Sequence, residues 1–124
     1  MEARKSLNVS IEKLKKEVIE MAELSFENIK GAFSAFKNAN HSEASKILKL
    51  DDAVDEAEEA IAKHALRVIW KEQPVATDLR IVTAILKMIT DIERIGDHAC
   101  DIAYMTTQLK EIPHEKIVGL ATKL

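Results

Sequence analysis

"DIERIGDHACDIA", residues Asp91 to Ala103, keeps its apolar side chains at helical spacing, yet sets Asp91, Glu93, Asp97 and Asp101 among them together with Gly96. It ends a periodic segment running from about Thr77 to Lys110, in which Leu79, Val82, Leu86 and Ile89 recur three and four residues apart. Pro113 closes that segment. Upstream, "EQPVATD" interrupts the pattern, because Pro74 is not tolerated in a helix interior; Ala76 or Thr77 then begins the new helix. A second periodic segment spans about Glu43 to Glu72, with Ile47, Leu50, Val54, Ile61, Ala65 and Val68 on one side. "NANHS", Asn38 to Ser42, precedes it and offers Ser42 as an N-cap. The first segment runs from about Ser6 to Lys37, with Leu14, Val18, Met21, Ser25, Ile29 and Ala32 in register.

Three segments of about 30 residues are each roughly 45 Å long as helices. Short connections force neighbours antiparallel, so the expected fold is all-α, an elongated antiparallel three-helix bundle over residues 1–112. Residues 113–124, "PHEKIVGLATKL", form a short C-terminal extension, a possible fourth helix or the start of a following one.

Composition agrees. Of 124 residues 47% are apolar and 4% aromatic, and three glycines with two prolines leave room for long helices. A net charge of −3 with both signs interspersed gives no basic face for nucleic acid. No apolar run reaches the roughly 20 residues of a membrane span. The start, "MEARKSLNVS", lacks the apolar core of a signal peptide, and the single Cys100 fits a reducing compartment, so the expected location is the cytoplasm.

A second acidic run, "LDDAVDEAEEAI", lies on the middle helix. Counted from Pro74, Asp55 and Glu93 are each 19 residues away, and Asp51 and Asp97 each 23. Equal distance along an antiparallel hairpin is equal height, about 30 Å from the turn, and residues four apart share a helix face. Asp51, Asp55, Glu93 and Asp97 therefore converge on one patch. Such like charges repel unless a cation answers them, and Arg94 is the only basic residue within the stretch apart from His98. Oxygen ligands suit Mg²⁺, Mn²⁺ or Fe³⁺, and carboxylates also bind Zn²⁺. Gly96 costs about 1 kcal/mol relative to Ala in a helix and leaves bare backbone that a partner helix or ligand can approach. Acids every four residues also fit a plain solvated face, and Gly96 plain helix packing; the residues alone leave these readings open. His98 points about 100° away from Asp97 and reads as exposed, Cys100 as a small core residue, and Trp70, Phe33 and Phe36 as core or interface anchors.

The stretch "QPVATDLRIVTAILKMITDIERIGDHACDIA", Gln73 to Ala103, resembles the PhoU family of phosphate-uptake regulators. Gln73, Pro74, Ala76, Asp78, Leu79 and Arg80 match the start of that family's pattern, and Leu86, Lys87, Glu93, Arg94, Ile95, Gly96 and Asp97 its middle. The acidic run on the middle helix looks like the family's other motif. The resemblance implies two similar three-helix bundles per chain, of which this sequence holds about one. It also implies a cluster of metal ions, iron or zinc, held by acidic motifs. Carried over residue by residue, the ligands are Asp51, Asp55, Glu93 and Asp97, with Asp101 standing where the family often has Asn. By the same resemblance the partners are a phosphate ABC transporter and its sensor histidine kinase, and the role is repression of the phosphate-starvation response, peripheral to the membrane through the partner alone. Similar single bundles occur as cytoplasmic domains of sodium–phosphate cotransporters, and a metal-free assembly module is a further alternative. No enzyme is expected: the only Glu-x-x-His, Glu111–His114, is broken by Pro113, so it cannot join a di-iron site. An apolar face that a second bundle would cover makes a homodimer or other homo-oligomer plausible.

Overall fold

The structure is a computed structural model and describes residues 2–109. Three long helices account for nearly all of them: α1 (Glu2–Lys37), α2 (His41–Glu72) and α3 (Ala76–Gln108). Each packs on the other two, with no strand among the described residues. The fold is the all-α three-helix bundle that the periodicity predicts. Because two short turns reverse the chain twice, α1 and α3 run parallel to one another and α2 runs against both. The expected boundary at 112/113, the stop at Pro113 and the fourth helix lie outside the described residues.

Helix ends differ from the expectation in an instructive way. α1 begins at Glu2, a turn before Ser6, and α2 begins at His41. The N-cap of α2 is Asn40, not Ser42: its extended backbone (φ −91°, ψ 95°) lets the side-chain Oδ1 accept the Glu43 N–H at 3.0 Å. Ala39, in the left-handed region at φ 50°, turns the chain out of α1 and delivers Asn40 to that position. Ser42 is already inside the first turn, where its hydroxyl cannot cap. At the other end Gln73, left-handed at φ 47°, donates its N–H to the Ile69 carbonyl at 3.1 Å before Pro74 forbids continuation.

The core falls into two clusters. Towards the α2–α3 turn it is large and aliphatic, with Leu14, Met21, Val54, Ile61, Val82 and Ile89 at its centre. Towards the α1–α2 turn it is made mostly of alanine: Ala32, Ala35, Ala44, Ala99 and Ala103 around Ile47. Several expected core positions lie outside it. Leu50 and Leu79 are exposed, and Asn28 rather than Ile29 takes the buried place on α1. Trp70, 79% exposed, and Phe33 are on the surface, and Phe36 is only half-buried. The buried stripe of α1 alternates steps of four and three from Leu7 to Ala35, and Asn28 keeps that alternation where Ile29 breaks it.

The position of the cap gives a direct test. Asn40→Ala should lower the unfolding free energy by about 1 kcal/mol, whereas Ser42→Ala should change it by no more than a few tenths. Urea denaturation of the two variants checks this; equal effects would place the cap elsewhere.

Candidate metal centre

On the face between α2 and α3 the bundle gathers carboxylates. One oxygen from each of Asp51, Asp55 and Asp97 can be chosen so that all three lie within 4.8 Å of one another. Asp51 and Asp55 sit one turn apart on α2, and Asp97 reaches across from α3. What brings α3 so close is Gly96, buried directly beside Asp97. A Cβ placed there would sit 3.3 Å from Asp51 Oδ1, 3.3 Å from Val54 Cγ1 and 3.7 Å from Ser25 Oγ. Those separations are tighter than ordinary van der Waals contact for the first two, so with a side chain there Asp51 and Val54 would have to give by a few tenths of an ångström.

Asp51 is the innermost of the three. Its Oδ1 is sealed from solvent and has no hydrogen-bond partner among the described residues. The Cys100 thiol, one turn beyond Gly96, faces the same carboxylate. Burial pushes the Asp51 pKa up; the Cys100 thiol pulls it back, and the charges of Asp97, Asp52 and Glu93 push it further up. Asp55 is raised for the same reasons, burial first and then Asp51, Glu93, Asp97 and Asp52. Burial and the facing Asp51 carboxylate push the Cys100 thiol up to about 12, so at neutral pH it is a donor and not a nucleophile.

The other two sequence-selected acids are placed differently. Glu93 lies beside the cluster but makes its hydrogen bond with Glu58 on α2; that bond, burial and the charges of Glu58 and Asp97 raise its pKa to about 7. Asp101 is exposed, one turn past Asp97, and does not belong to the group of three. His98 is exposed as expected. Cys100, read as a core residue, is instead half-buried at the edge of the acids. Glu58 and Cys100 are the residues that counting missed. Cys100 sits three residues after Asp97 and four after Gly96, the spacing of one α3 flank, and that was the available signal.

These groups fit a hard cation. Oxygens bound to one ion at about 2.0–2.6 Å are at most about 4–5 Å apart, which matches the three carboxylates, and an unpartnered acceptor such as Asp51 Oδ1 is what an inner ligand leaves. Asp51, Asp55 and Asp97 would hold the ion, with Glu93 at its border.

Comparison with known proteins points the same way as the helices. The family model described as the PhoU domain matches residues 18–106. A "Phosphate-specific transport system accessory protein PhoU homolog" of Clostridium acetobutylicum is 34% identical over 116 residues, 93% of this chain and 53% of that protein. One from Aquifex aeolicus is 39% identical over 103 residues, covering 83% of this chain and 47% of its own. The "Phosphate-specific transport system accessory protein PhoU" of Serratia marcescens is 34% identical over 108 residues, 87% of this chain and 44% of its own. The chain spans about half the length of the curated relatives it matches.

The acids make stability depend on pH. Glu93 titrates near 7 in the fold and in the ordinary carboxylate range when unfolded, so between those limits the folded protein holds a proton that the unfolded chain has released. The metal-free protein should therefore lose stability as pH rises through that window, and Glu93→Gln should be more stable than wild type at pH 8 but close to it at pH 4. Thermal melts in chelator across that range decide it; a variant equally shifted at both ends would break the link to this proton.

Proposed function

The chain belongs to the PhoU family, and from that membership we propose that it is a non-enzymatic, metal-binding regulator of phosphate uptake, acting in the cytoplasm. It docks on a phosphate transporter, of the ABC or sodium-coupled kind, or on the transporter's sensor histidine kinase, and represses the phosphate-starvation response. The observation that carries this reading is the meeting of Asp51, Asp55 and Asp97, with a sealed and unpartnered Asp51 oxygen, on the α2/α3 face. Folding alone does not call for it: each charge brought there opposes the next, and burial first and that opposition second raise the Asp51 and Asp55 pKa values. None of the described helices is long and apolar enough to cross a membrane.

The protein's part in metal binding is positional. Gly96 fixes the spacing of α2 and α3, Asp51 provides the inner oxygen, and Asp55 and Asp97 provide outer ones from the two helices. Iron or zinc, or else magnesium or manganese, is the cofactor; when bound, it supplies positive charge and open coordination positions. With that charge in place the face would attract a partner's carboxylates or phosphoryl groups, so docking would depend on metal. The relatives' names describe accessory proteins of the phosphate-specific transport system, which supports assigning such a contact to this face.

Elemental analysis of protein purified without added metal or chelator should find bound metal in wild type. Asp97→Asn should reduce it, and Asp51→Asn with Asp97→Asn should abolish it, while helical circular dichroism stays intact. Chelator and Asp97→Asn should each weaken capture of candidate transporter and kinase partners. Equal metal in wild type and double variant refutes the ligand set; capture surviving both treatments moves the docking surface elsewhere.

A further inference from the structure

Behind the acids, the buried stripe of α1 carries Ser25 and then Asn28, only 1% and 3% exposed. The Ser25 hydroxyl is satisfied, donating to the Ile92 carbonyl at 3.0 Å. Asn28 is not. Its Nδ2 and Asp51 Oδ1 are the only two buried side-chain nitrogen or oxygen atoms without a partner among the described residues. One is a donor and the other an acceptor. Burying either alone is costly, and a layer that served packing only would carry an apolar side chain in place of Asn28.

The positions of the two groups match as their chemistry does. α1 and α2 are antiparallel, and Ser6 bonds Glu72 while Gly31 lies against Ile47. Both pairings set Asn28 level with Leu50, so Asp51 is offset by one residue's rise, about 1.5 Å. Across the bundle, a Cβ on Gly96 would lie 3.3 Å from Asp51 Oδ1 and 3.7 Å from Ser25 Oγ. The space of one methyl group therefore separates the polar side of α1 from the Asp51 carboxylate, and Asn28 is one turn beyond Ser25 on that side.

We propose that Asn28 is the positioning residue of the metal centre: when a cation is bound, its carboxamide N–H donates to Asp51 Oδ1, directly or across one water, and fixes that carboxylate. This rests on the metal reading given above. An ionised carboxylate has about four lone-pair sites, so Asp51 can accept from the amide and hold an ion together. Ligating carboxylates are commonly held by such outer partners. A neutral amide suits the place, since a lysine or arginine would compete with the cation and a further acid would add to the repulsion. An Asn28 that only fixed the register of the helices would instead make stability and metal affinity fall together.

Thermal melts and Zn²⁺ titration calorimetry of chelator-stripped protein separate the two roles. Asn28→Leu removes the donor and keeps the branching, so without metal it should melt no lower than wild type. It should nevertheless bind Zn²⁺ about ten- to a hundredfold more weakly. Asn28→Ala, which cannot overfill the layer, should lose affinity likewise. In nuclear magnetic resonance spectra the Asn28 side-chain amide signal, identified by its absence from Asn28→Leu, should shift on Zn²⁺ addition. Those of the exposed Asn8 and Asn38 should stay in place. Variants that bind Zn²⁺ as tightly as wild type overturn the proposal, as does an unmoved Asn28 signal. A lowered metal-free melting temperature in Asn28→Leu, with affinity kept in Asn28→Ala, makes Asn28 a register residue and overturns it too. Asp97→Asn keeps the two readings apart. If it loses Zn²⁺ while both Asn28 variants retain it, the ligand set stands and the role of Asn28 falls. A wild type no tighter for Zn²⁺ than Asp97→Asn removes the site itself, and the role of Asn28 with it.

Discussion

The spacing between α2 and α3 at Gly96 governs the molecule's chemistry. A side chain there would press on both the Asp51 carboxylate and Val54, at 3.3 Å from each. Without one, the helices close enough for Asp97 to reach Asp51 and Asp55. Glycine inside a helix is destabilising by about 1 kcal/mol, and the close approach it allows brings together groups that repel. Both effects work against the fold, and a cation among the carboxylates would remove the repulsion and offset the glycine's cost. That shared remedy is why the glycine and the acids make sense together and not apart.

The core is arranged around the same level. The large aliphatic cluster ends at Val54 and Ile92, and the alanine cluster begins at Ile47 and Ala99. Between them lies a thin polar layer. Ser25 is satisfied, donating to the Ile92 carbonyl. Asn28 is 3% exposed with an unpartnered Nδ2, and Asp51 has an unpartnered Oδ1. The α1/α2 pairings Ser6–Glu72 and Gly31–Ile47 put Asn28 and Asp51 at one height. An orphan donor and an orphan acceptor at one level carry a desolvation cost that apolar residues would avoid. The alanines beyond this layer keep the three helices close.

Length along the chain was legible; rotation about the helix axes was less so. Periodicity and two turn signals were enough to place three helices, and counting from Pro74 put Asp51, Asp55 and Asp97 together. Height needs only the rise per residue, which is nearly constant. Which flank a side chain takes depends on where the steps of four and three fall: Ser25 is followed on the stripe by Asn28 and not Ile29, and Ile47 by Asp51 and not Leu50. The same uncertainty hid the Glu93–Glu58 contact: Glu93 was matched by height to Asp55, yet its flank of α3 meets Glu58. The Asn40 cap escaped for a different reason. It depends on a left-handed Ala39, and nothing about alanine announces that backbone.

The stretch "DIERIGDHACDIA" can now be read as three surfaces wound into one helix. Ile92, Gly96, Ala99 and Ala103 enter the core. Glu93, Asp97 and Cys100 turn towards α2 and the acids. Ile95 turns towards α1, and Asp91, Arg94, His98 and Asp101 are left to solvent. An ordinary bundle helix needs one apolar stripe and leaves the rest polar without further order. Here each flank beside the core has its own chemistry, negative on one side and apolar on the other. The two flanks are joined through the buried residues between them. α3 is therefore the helix in which acids and a glycine among core residues have a physical reason.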